Sequence, residues 1–367
     1  MLPDREILAL HRAVTAIHSV SGDEAELAGF LGDLLRRNGV AVSPLGNSLL
    51  ATVGTGPVLL FDTHLDTVPP APGWTRDPWE VEAVGGRVYG LGSNDAKASV
   101  AAMTAAFLAF READLPFTLA LALVEAEETR GTGTEAVLAE LARRGTPPVA
   151  AVVGEPTGLD LAVAQKGLMV LELVARGEAC HAANAAALGA ANAARRLAHD
   201  LVALENVDLG PAHPRLGPVT LEPTQLRAGT ARNVLPGEAT AVLDARTTPA
   251  LHGRALVERV ERVVAGEVRV LSERLRPRET AEGEPLVQAA REARPEARVF
   301  GSATLSDMVF LEGIPALKCG PGRSERSHTP DEFVLESEIL DGARFYARLV
   351  RAYAERLAGQ QVTEAVA

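Results

Sequence analysis

The sequence predicts an α/β protein. One domain has a mixed, mostly parallel sheet flanked by helices, and an inserted ferredoxin-like α+β domain forms a second unit. Three short apolar runs, at 58–61, 118–124 and 149–153, have the composition of buried strands. The segments between them, 97–110 and 131–145, have helical spacing and few breakers. A chain that alternates strand and helix in this way forms a sheet whose strands run mostly parallel.

The inserted domain is predicted from a change in element order after residue 167. Here we expect strands at 168–177, 218–229, 238–248 and 268–275, with helices at 180–204 and 255–266. The resulting order, β-α-β-β-α-β, is that of a ferredoxin-like sandwich. The first pattern resumes after Pro277 and ends in a terminal helix. We therefore predict a discontinuous domain, residues 1–167 and 278–367, with residues 168–277 inserted as a lid or dimerisation domain.

The composition limits the classes of partner. The chain has 367 residues and a formal net charge of -12, whereas nucleic-acid binding requires a basic surface. The longest apolar stretch outside the predicted strands, 99–110, is too short to span a bilayer. The N-terminal segment is typical of an amphipathic helix and not of a signal peptide. Two cysteines, Cys180 and Cys319, suggest no disulfide framework. We predict a cytoplasmic protein without nucleic-acid or membrane partners.

Residues 59–70, LLFDTHLDTVPP, end a predicted strand with a histidine and a carboxylate two residues apart. In an extended segment, His64 and Asp66 point to the same face. His64 could offer one ring nitrogen to a metal while Asp66 holds the other nitrogen, a common support for a ligating histidine. A polar strand exit would give the same pattern, so this stretch alone leaves both interpretations open.

Four further segments place acids or a histidine at strand exits and in loops. Asp95 lies at a Gly-rich bend, where it could bridge two cations or cap a helix. Glu127 and Glu128 are adjacent, and a solvated turn would explain the pair. Alternatively, one binds a metal, which would relieve their mutual repulsion, and the other stays free as a general base. Glu155 follows a predicted strand and His328 lies in a loop. With His64, these positions supply a credible dinuclear zinc site, for which cobalt and manganese are alternatives.

Seven motifs follow one another along essentially the whole chain: HLDTVPP, YGLGSNDAK, EAEET, GEPTG, AGTARNVLP, DARTTP and RSHTPDEF. Their order resembles the zinc-dependent amidohydrolase and exopeptidase family that includes acetylornithine deacetylase, succinyl-diaminopimelate desuccinylase and glutamate carboxypeptidase. YGLGSND, GTARNVLP, GSATLSD and RSHTPDEF are most similar to the acetylornithine or acetylcitrulline deacetylase branch. The resemblance implies that His64 and Glu155 bind one zinc ion, that Glu128 and His328 bind the other, and that Asp95 bridges them.

The resemblance also implies roles for residues that do not bind metal. Glu127 would be the general base, and Asp66 would support His64. His181 matches a lid histidine that usually reaches the active site of the partner subunit and hydrogen-bonds the developing oxyanion. If His181 acts in this way, the protein is a homodimer through the lid domain.

Three residues match the family's substrate pocket. Asn233 and Arg246 correspond to positions that hold and orient a substrate carboxylate, and Gly320 lies in a turn that lines the same pocket. Among the positions that depart from the commonest pattern, Leu91 stands where many members have Arg, and Ala126 where many have Asp. Neither is a ligand position, but both weaken the transfer of a substrate from better-known members.

The implied activity is removal of an N-acyl group, with acetyl preferred, from an N-acyl amino acid such as N2-acetylornithine in arginine biosynthesis. N-acetylcitrulline, N-acyl-lysine and N-succinyl-diaminopimelate are alternative substrates, and a dipeptidase or carboxypeptidase would use the same site chemistry. A non-catalytic metal-binding homologue is the alternative from another class. Such homologues usually lose a ligand or the base, whereas all six of those residues are present here.

Overall fold

The computed structural model describes the backbone of residues 1–366 and the side chains of residues 1–358. Within this backbone the strands are β1 (Val42–Leu45), β2 (Ser48–Val53), β3 (Val58–His64), β4 (Glu82–Val84), β5 (Arg87–Tyr89), β6 (Thr118–Val124), β7 (Pro148–Val153), β8 (Leu161–Gln165), β9 (Gly167–Arg176), β10 (Thr220–Ala228), β11 (Glu238–Thr247), β12 (Glu267–Leu275), β13 (Arg278–Glu279), β14 (Val299–Ser302), β15 (Ala316–Lys318) and β16 (Phe333–Leu335). The α-helices are α1 (Asp4–Ala16), α2 (Ala25–Arg37), α3 (Lys97–Ala109), α4 (Thr132–Arg143), α5 (Ala185–Leu188), α6 (Ala193–Ala203), α7 (Arg254–Glu261), α8 (Pro285–Ala293) and α9 (Glu336–Val366).

The chain forms two compact units. The first contains Met1–Val163, Thr280–Phe300 and the described chain from Ser306 onward. The second contains Ala164–Glu279 and the short segment Gly301–Leu305, where the sequence predicted an insertion over 168–277. The contribution of Gly301–Leu305 was not predicted.

The first unit is built on a mixed sheet with a parallel centre. Its strands follow the order β1-β2-β6-β3-β7-β15-β8. The four central strands, β6, β3, β7 and β15, run parallel, and the pairs nearer the edges are antiparallel. The predicted fold class, an α/β sheet flanked by helices, is confirmed.

Strand β3 shows why this sheet must be covered on both faces. All seven of its residues are buried, and alternate side chains enter different cores. Leu59 and Phe61 pack with residues of α1, α3 and α9, whereas Val58 and Leu60 pack with residues of α4. A strand that is buried on both faces needs a continuous apolar run and not an alternating pattern, which is what VLLF supplies.

The second unit has a four-stranded sheet in the order β10-β11-β9-β12 with antiparallel pairs throughout. Apolar residues of α6 and α7 pack with the strands in one core. This arrangement is the predicted ferredoxin-like sandwich.

The helix predicted over 180–204 is wrong as one continuous element. It is broken into α5 and α6. Gly189 ends α5 with a φ of 62°, a left-handed conformation that glycine adopts without a steric penalty. The side chain of Asn192 then caps α6 by accepting a hydrogen bond from the Arg195 N–H at 3.3 Å. The Ala-rich composition concealed both signals.

Among the described helices, none combines the length and the apolar character needed to cross a lipid bilayer.

Candidate active site

The candidate site forms where three neighbouring strands of the first unit end. β6, β3 and β7 are adjacent and parallel, so their carboxyl ends meet at one edge of the sheet. His64 is the last residue of β3. Glu127 and Glu128 follow β6, and Glu155 follows β7. The parallel register therefore brings these four side chains to a common edge.

Asp95 and His328 reach this edge from two other segments. Asp95 lies in the turn before α3, and His328 lies in the loop before β16 with a φ of 59°. Asp95 Oδ1 is 3.3 Å from His64 Nε2, and Asp95 Oδ2 is 3.8 Å from His328 Nε2. The two oxygens of one carboxylate thus face two different histidines, an arrangement suited to a ligand that bridges two cations.

Each histidine also faces a second carboxylate. His64 Nε2 lies 3.9 Å from Glu155 Oε1, and His328 Nε2 lies 2.9 Å from Glu128 Oε1. Ligand atoms of His64, Asp95 and Glu128 all lie within 4.8 Å of one another. The five positions at which the sequence predicts metal ligands are therefore together in the first unit.

Glu127 lies among these residues. Its carboxylate and ligand atoms of His64 and Glu155 are within 4.8 Å of one another. Burial raises the pKa of Glu127 well above its usual value, and nearby acids, including Asp307 and Glu128, raise it further. Burial and neighbouring acids likewise raise the pKa of Glu155. Bound cations would relieve the repulsion within such a cluster of acids.

The two histidines carry the opposite tendency. Burial alone would lower the pKa of His64, but the carboxylates around its ring, led by those of Asp66 and Asp95, together outweigh burial and hold the pKa well above its usual value. The hydrogen bond with Glu128 raises the pKa of His328 to about 9. A proton on each ring would occupy the position that a cation needs, so cation binding must release protons.

Asp66 supports the site, but chiefly through contacts that the sequence did not predict. His64 Nδ1 is 2.9 Å from the Asp66 backbone oxygen and 3.6 Å from its carboxylate. The carboxylate instead accepts the backbone N–H groups of Glu127 at 3.0 Å and Glu128 at 3.1 Å, together with the Ser21 hydroxyl at 2.7 Å. Asp66 therefore holds both the ring of His64 and the backbone of the acidic pair.

The sequence analysis missed a buried polar cluster behind β3. Thr134 Oγ1 lies 2.9 Å from Asp62 Oδ2 and 2.7 Å from Asp307 Oδ2. Burial raises the pKa of Asp62 to about 7 and that of Asp307 well above its usual value. Lys318 is also buried, and its charge acts on Glu155. An acid or a lysine inside an apolar segment, as in VLLFD and ALKC, was the available signal.

The donor set fits a pair of divalent cations. It consists of imidazole nitrogens and carboxylate oxygens, the ligands typical of catalytic sites for zinc, cobalt or manganese. The two cysteines are free, and neither belongs to the groups of candidate ligands found among the described residues. The excess of carboxylates, which repel one another without a cation, is the observation that favours occupancy by metal.

The second unit holds three of the predicted site residues. His181 is exposed and forms a β-bridge with Val234, and the Asn233 carbonyl accepts the Ala182 N–H at 2.9 Å. His181 and Asn233 are therefore brought together. Arg246 lies near the end of β11, and its guanidinium contacts Asp244 at 2.8 and 3.1 Å. It is not brought to the other two, because the pairing of β9 with β11 separates them.

Gly320 belongs to the first unit and packs directly against the segment of Glu155. A Cβ atom at Gly320 would lie 2.6 Å from the Glu155 carbonyl oxygen and 2.4 Å from Ser99 Oγ. Only glycine allows this approach, so the structure gives Gly320 a clear packing role beside a predicted ligand.

Comparisons with known proteins identify the family of this chain. The model of peptidase family M20/M25/M40 matches residues 60–352. A protein of Pyrobaculum aerophilum named for LysW-lysine and LysW-ornithine hydrolysis is 32% identical over 87% of this chain and 89% of its own length. A succinyl-diaminopimelate desuccinylase of Bordetella petrii is 31% identical over 71% of this chain and 72% of its own length.

The fold is shared with solved structures. The YXEP protein of Bacillus subtilis, described as a dinuclear metal binding peptidase from the M20 family, has a TM-score of 0.75 and 18% identity, covering 96% of this chain and 98% of that one. The family match includes every predicted metal-binding residue and most of the chain, so the resemblance inferred from the motifs is confirmed. This chain belongs to peptidase family M20/M25/M40 and is a hydrolase of that family.

Proposed function

We propose that this protein is a dinuclear metal-dependent amidohydrolase that removes the acyl group from an N-acyl amino acid. The observation that carries the proposal is the arrangement around Asp95, whose two carboxylate oxygens face His64 and His328 separately. Glu155 and Glu128 complete the two sides, and Glu127 lies beside them as the acid left over for proton transfer.

The proposed chemistry divides between cations and protein. Two divalent cations at this site, preferably zinc, would supply Lewis acidity and lower the pKa of a water molecule. Glu127 takes the proton from that water as it attacks the amide carbonyl and then delivers the proton to the leaving nitrogen. Asp66 keeps the backbone of Glu127 in place through its 3.0 Å hydrogen bond. The products are a carboxylic acid and a free amino acid.

We propose N2-acetylornithine as the first substrate to test, with a place in arginine biosynthesis. The names of the two relatives concern derivatives of lysine, ornithine and diaminopimelate, which are all diamino acids. N-acetylcitrulline, N-acyl-lysine and N-succinyl-diaminopimelate are the nearest alternatives. A dipeptidase or carboxypeptidase is the further alternative, which the presence of probable carboxypeptidases among the relatives keeps in view.

Arg246 is the proposed partner of the substrate carboxylate. Its guanidinium fork offers five N–H donors, and two of its nitrogens contact Asp244. The remaining donors can bind a carboxylate, for which the planar fork is well matched.

We further propose a homodimer in which His181 and Asn233 serve the partner's active site. Between Glu238 and Arg246, β11 runs extended along β9, a span of about 26 Å at roughly 3.3 Å per residue. Hydrogen bonds from Leu235 to Cys180 and from Ala182 to Asn233 continue this pairing away from Arg246. One small substrate therefore cannot contact Asn233 and Arg246 of the same subunit, and two subunits would resolve the conflict. The free state of both cysteines supports the cytoplasm as the proposed compartment.

The test is a substrate panel with a matched pair of variants. Purified protein is supplied with zinc or cobalt and assayed on the four N-acyl amino acids and on dipeptides. Glu127→Gln is expected to retain metal while turnover falls by at least about 100-fold, the minimum that a positioned acid–base group contributes. The control, Glu125→Gln, changes a nearby glutamate that accepts the Asn47 N–H at 2.9 Å, and should keep wild-type turnover.

Two results would contradict the proposal. Unchanged turnover in Glu127→Gln would remove the assignment of the general base. A wild-type protein that binds no metal and hydrolyses no member of the panel would instead favour a non-catalytic homologue.

A further inference from the structure

The turn that carries Asp95 is held by a buried carboxylate that lies 237 residues later in the sequence. Glu332, which is 3% exposed, accepts the backbone N–H groups of Asn94 at 3.0 Å and Asp95 at 2.9 Å through Oε1. Its Oε2 accepts the Gly92 N–H at 3.0 Å. Buried backbone N–H groups need acceptors, and Glu332 supplies them for three residues of this turn.

The backbone of Glu332 makes further contacts with the same turn. Its carbonyl oxygen accepts the Gly90 N–H at 3.2 Å and the Ser93 hydroxyl at 3.4 Å. Residue 332 is thus joined to the Asp95 turn through both its side chain and its main chain. Because Glu332 lies only four residues after His328, these contacts tie the segments of two predicted metal ligands together.

Asn94 provides a second connection between the same two segments. Its Oδ1 accepts the Arg323 N–H at 2.8 Å, and its Nδ2 donates to the Arg323 carbonyl at 3.0 Å and to Ser327 Oγ at 3.3 Å. Ser327 directly precedes His328. The loop that carries His328 is therefore bound to the turn at its beginning by Asn94 and at its end by Glu332.

We propose that Glu332 is a positioning residue that sets the spacing between Asp95 and His328, and hence the affinity of the second cation. The inference rests on the proposed function, because it takes Asp95 as the bridging ligand and His328 as a ligand of that cation. Of the two segments that Glu332 joins, only the Asp95 turn would supply a ligand to the cation between His64 and Glu155. The cation between Glu128 and His328 depends on the turn and the loop together, so it is the more sensitive of the two.

Two substitutions at Glu332 separate the effect of side-chain length from the effect of charge. Glu332→Gln keeps the shape, but one of its two polar ends becomes an NH2 donor that opposes a backbone N–H. Glu332→Asp keeps the charge but shortens the side chain by one methylene, so it cannot span all three N–H groups. The control is Glu336→Gln, the same change on a glutamate whose partner is the exposed Arg12.

The experiment is a Co²⁺ titration of chelator-treated protein, followed by visible absorption and calorimetry. For Glu332→Gln we expect the second Co²⁺ to bind about 10- to 100-fold more weakly, the range seen when a group supporting a ligand is removed. The affinity for the first Co²⁺ should fall less. In Glu332→Asp, too, the affinity for the second Co²⁺ should fall more than the affinity for the first. Glu336→Gln should titrate like the wild type.

The thermal midpoint of the metal-free variants distinguishes positioning from general stability. If the affinities for both cations fall equally and the thermal midpoint is also lower, Glu332 contributes to general stability and the proposal is overturned. Unchanged titrations, or full recovery in Glu332→Asp, would overturn it as well, as would failure of both Glu332 variants to fold. If the wild type itself does not bind two Co²⁺ ions, the proposed function fails; if it does and the variants match it, only this inference fails.

Discussion

His64 and His181 show how differently the two units present their predicted site residues. His64 is 2% exposed, its Nδ1 lies 2.9 Å from the Asp66 carbonyl oxygen, and its Nε2 faces two carboxylates. His181 is exposed, and its Nδ1 accepts a hydrogen bond from the Ala183 N–H at 3.2 Å. The first unit therefore fixes its histidine before any ligand arrives. The ring of His181 is constrained less, because it is exposed.

This difference predicts two kinds of loss on mutation. A change among the buried site residues of the first unit should disturb cation binding as well as turnover. A change at the exposed predicted site residues of the second unit should disturb turnover while leaving cation binding intact.

His181→Ala should cause the largest of the three effects. If His181 donates to the developing oxyanion, its loss should lower kcat by about 100- to 1,000-fold, as for other single donors of this kind. Metal content and Co²⁺ affinity should remain at the wild-type values, because the ligands lie in the first unit. The measurements are steady-state kinetics on the best panel substrate and metal analysis of the same preparation.

His199→Ala is the matched control for His181. His199 is also an exposed histidine of the second unit, but it lies on α6. It should retain wild-type kcat. Loss of metal in His181→Ala would break the division between the units, and unchanged kcat would remove His181 from the site.

Asp66→Asn should have the next largest effect and should change both properties. An asparagine has one oxygen and one NH2 group, so it cannot accept from both Glu127 and Glu128 as the carboxylate does. We expect metal affinity and kcat each to fall by about 10- to 100-fold. Ser21→Ala, which removes only the 2.7 Å hydroxyl contact to Asp66, should have the smaller effect in the same Co²⁺ titration and kinetic assay. A defect in Ser21→Ala as large as that in Asp66→Asn would show that the two backbone contacts are unimportant.

The sequence predicted those parts of the site that follow from strand exits. His64 and Glu155 end or follow apolar runs, and parallel strands bring such ends to one edge, so their convergence was foreseeable. The contacts that hold the ligands were not. Glu332 bonds to Asp95 across 237 positions of sequence, and no local spacing encodes such a pair. For the same reason the sequence placed the Asp66 carboxylate beside His64 and missed its bonds to the acidic pair.

The fold was predictable where a continuous apolar run coincides with packing on both faces of the sheet. VLLF and TLALALV became central strands because both sheet faces are covered. The prediction of one helix over 180–204 was wrong because alanine favours a helix but does not provide the apolar stripe that packs a helix against the rest of the protein. Local signals at Gly189 and Asn192 then decided where the helices end.

The smallest predicted effect concerns His11, a buried histidine of the first unit that is not a predicted ligand. Its Nε2 lies 2.7 Å from the Ser93 carbonyl oxygen. A carbonyl only accepts, so Nε2 carries the hydrogen. Nδ1 is buried without a hydrogen-bond partner among the described residues. Burial lowers the pKa of His11 to about 4, whereas His64, equally buried but beside carboxylates, has a raised pKa.

The sign of the pH effect follows from the lowered pKa. Between pH 6.5 and 4 the unfolded chain protonates His11 and the folded chain does not. The free energy of unfolding should therefore fall as the pH falls through this window, by about 3 kcal/mol. His11→Gln can keep an N–H donor for Ser93 but does not titrate, so this part of the acid sensitivity should disappear. Denaturant unfolding of the metal-free protein at pH 7 and pH 4.5 measures the difference. The control is His18→Gln, at an exposed position beside the ring of Trp79, and its stability should depend on pH as in the wild type. An equal loss of acid sensitivity in both variants would show that burial of His11 does not cause the acid sensitivity.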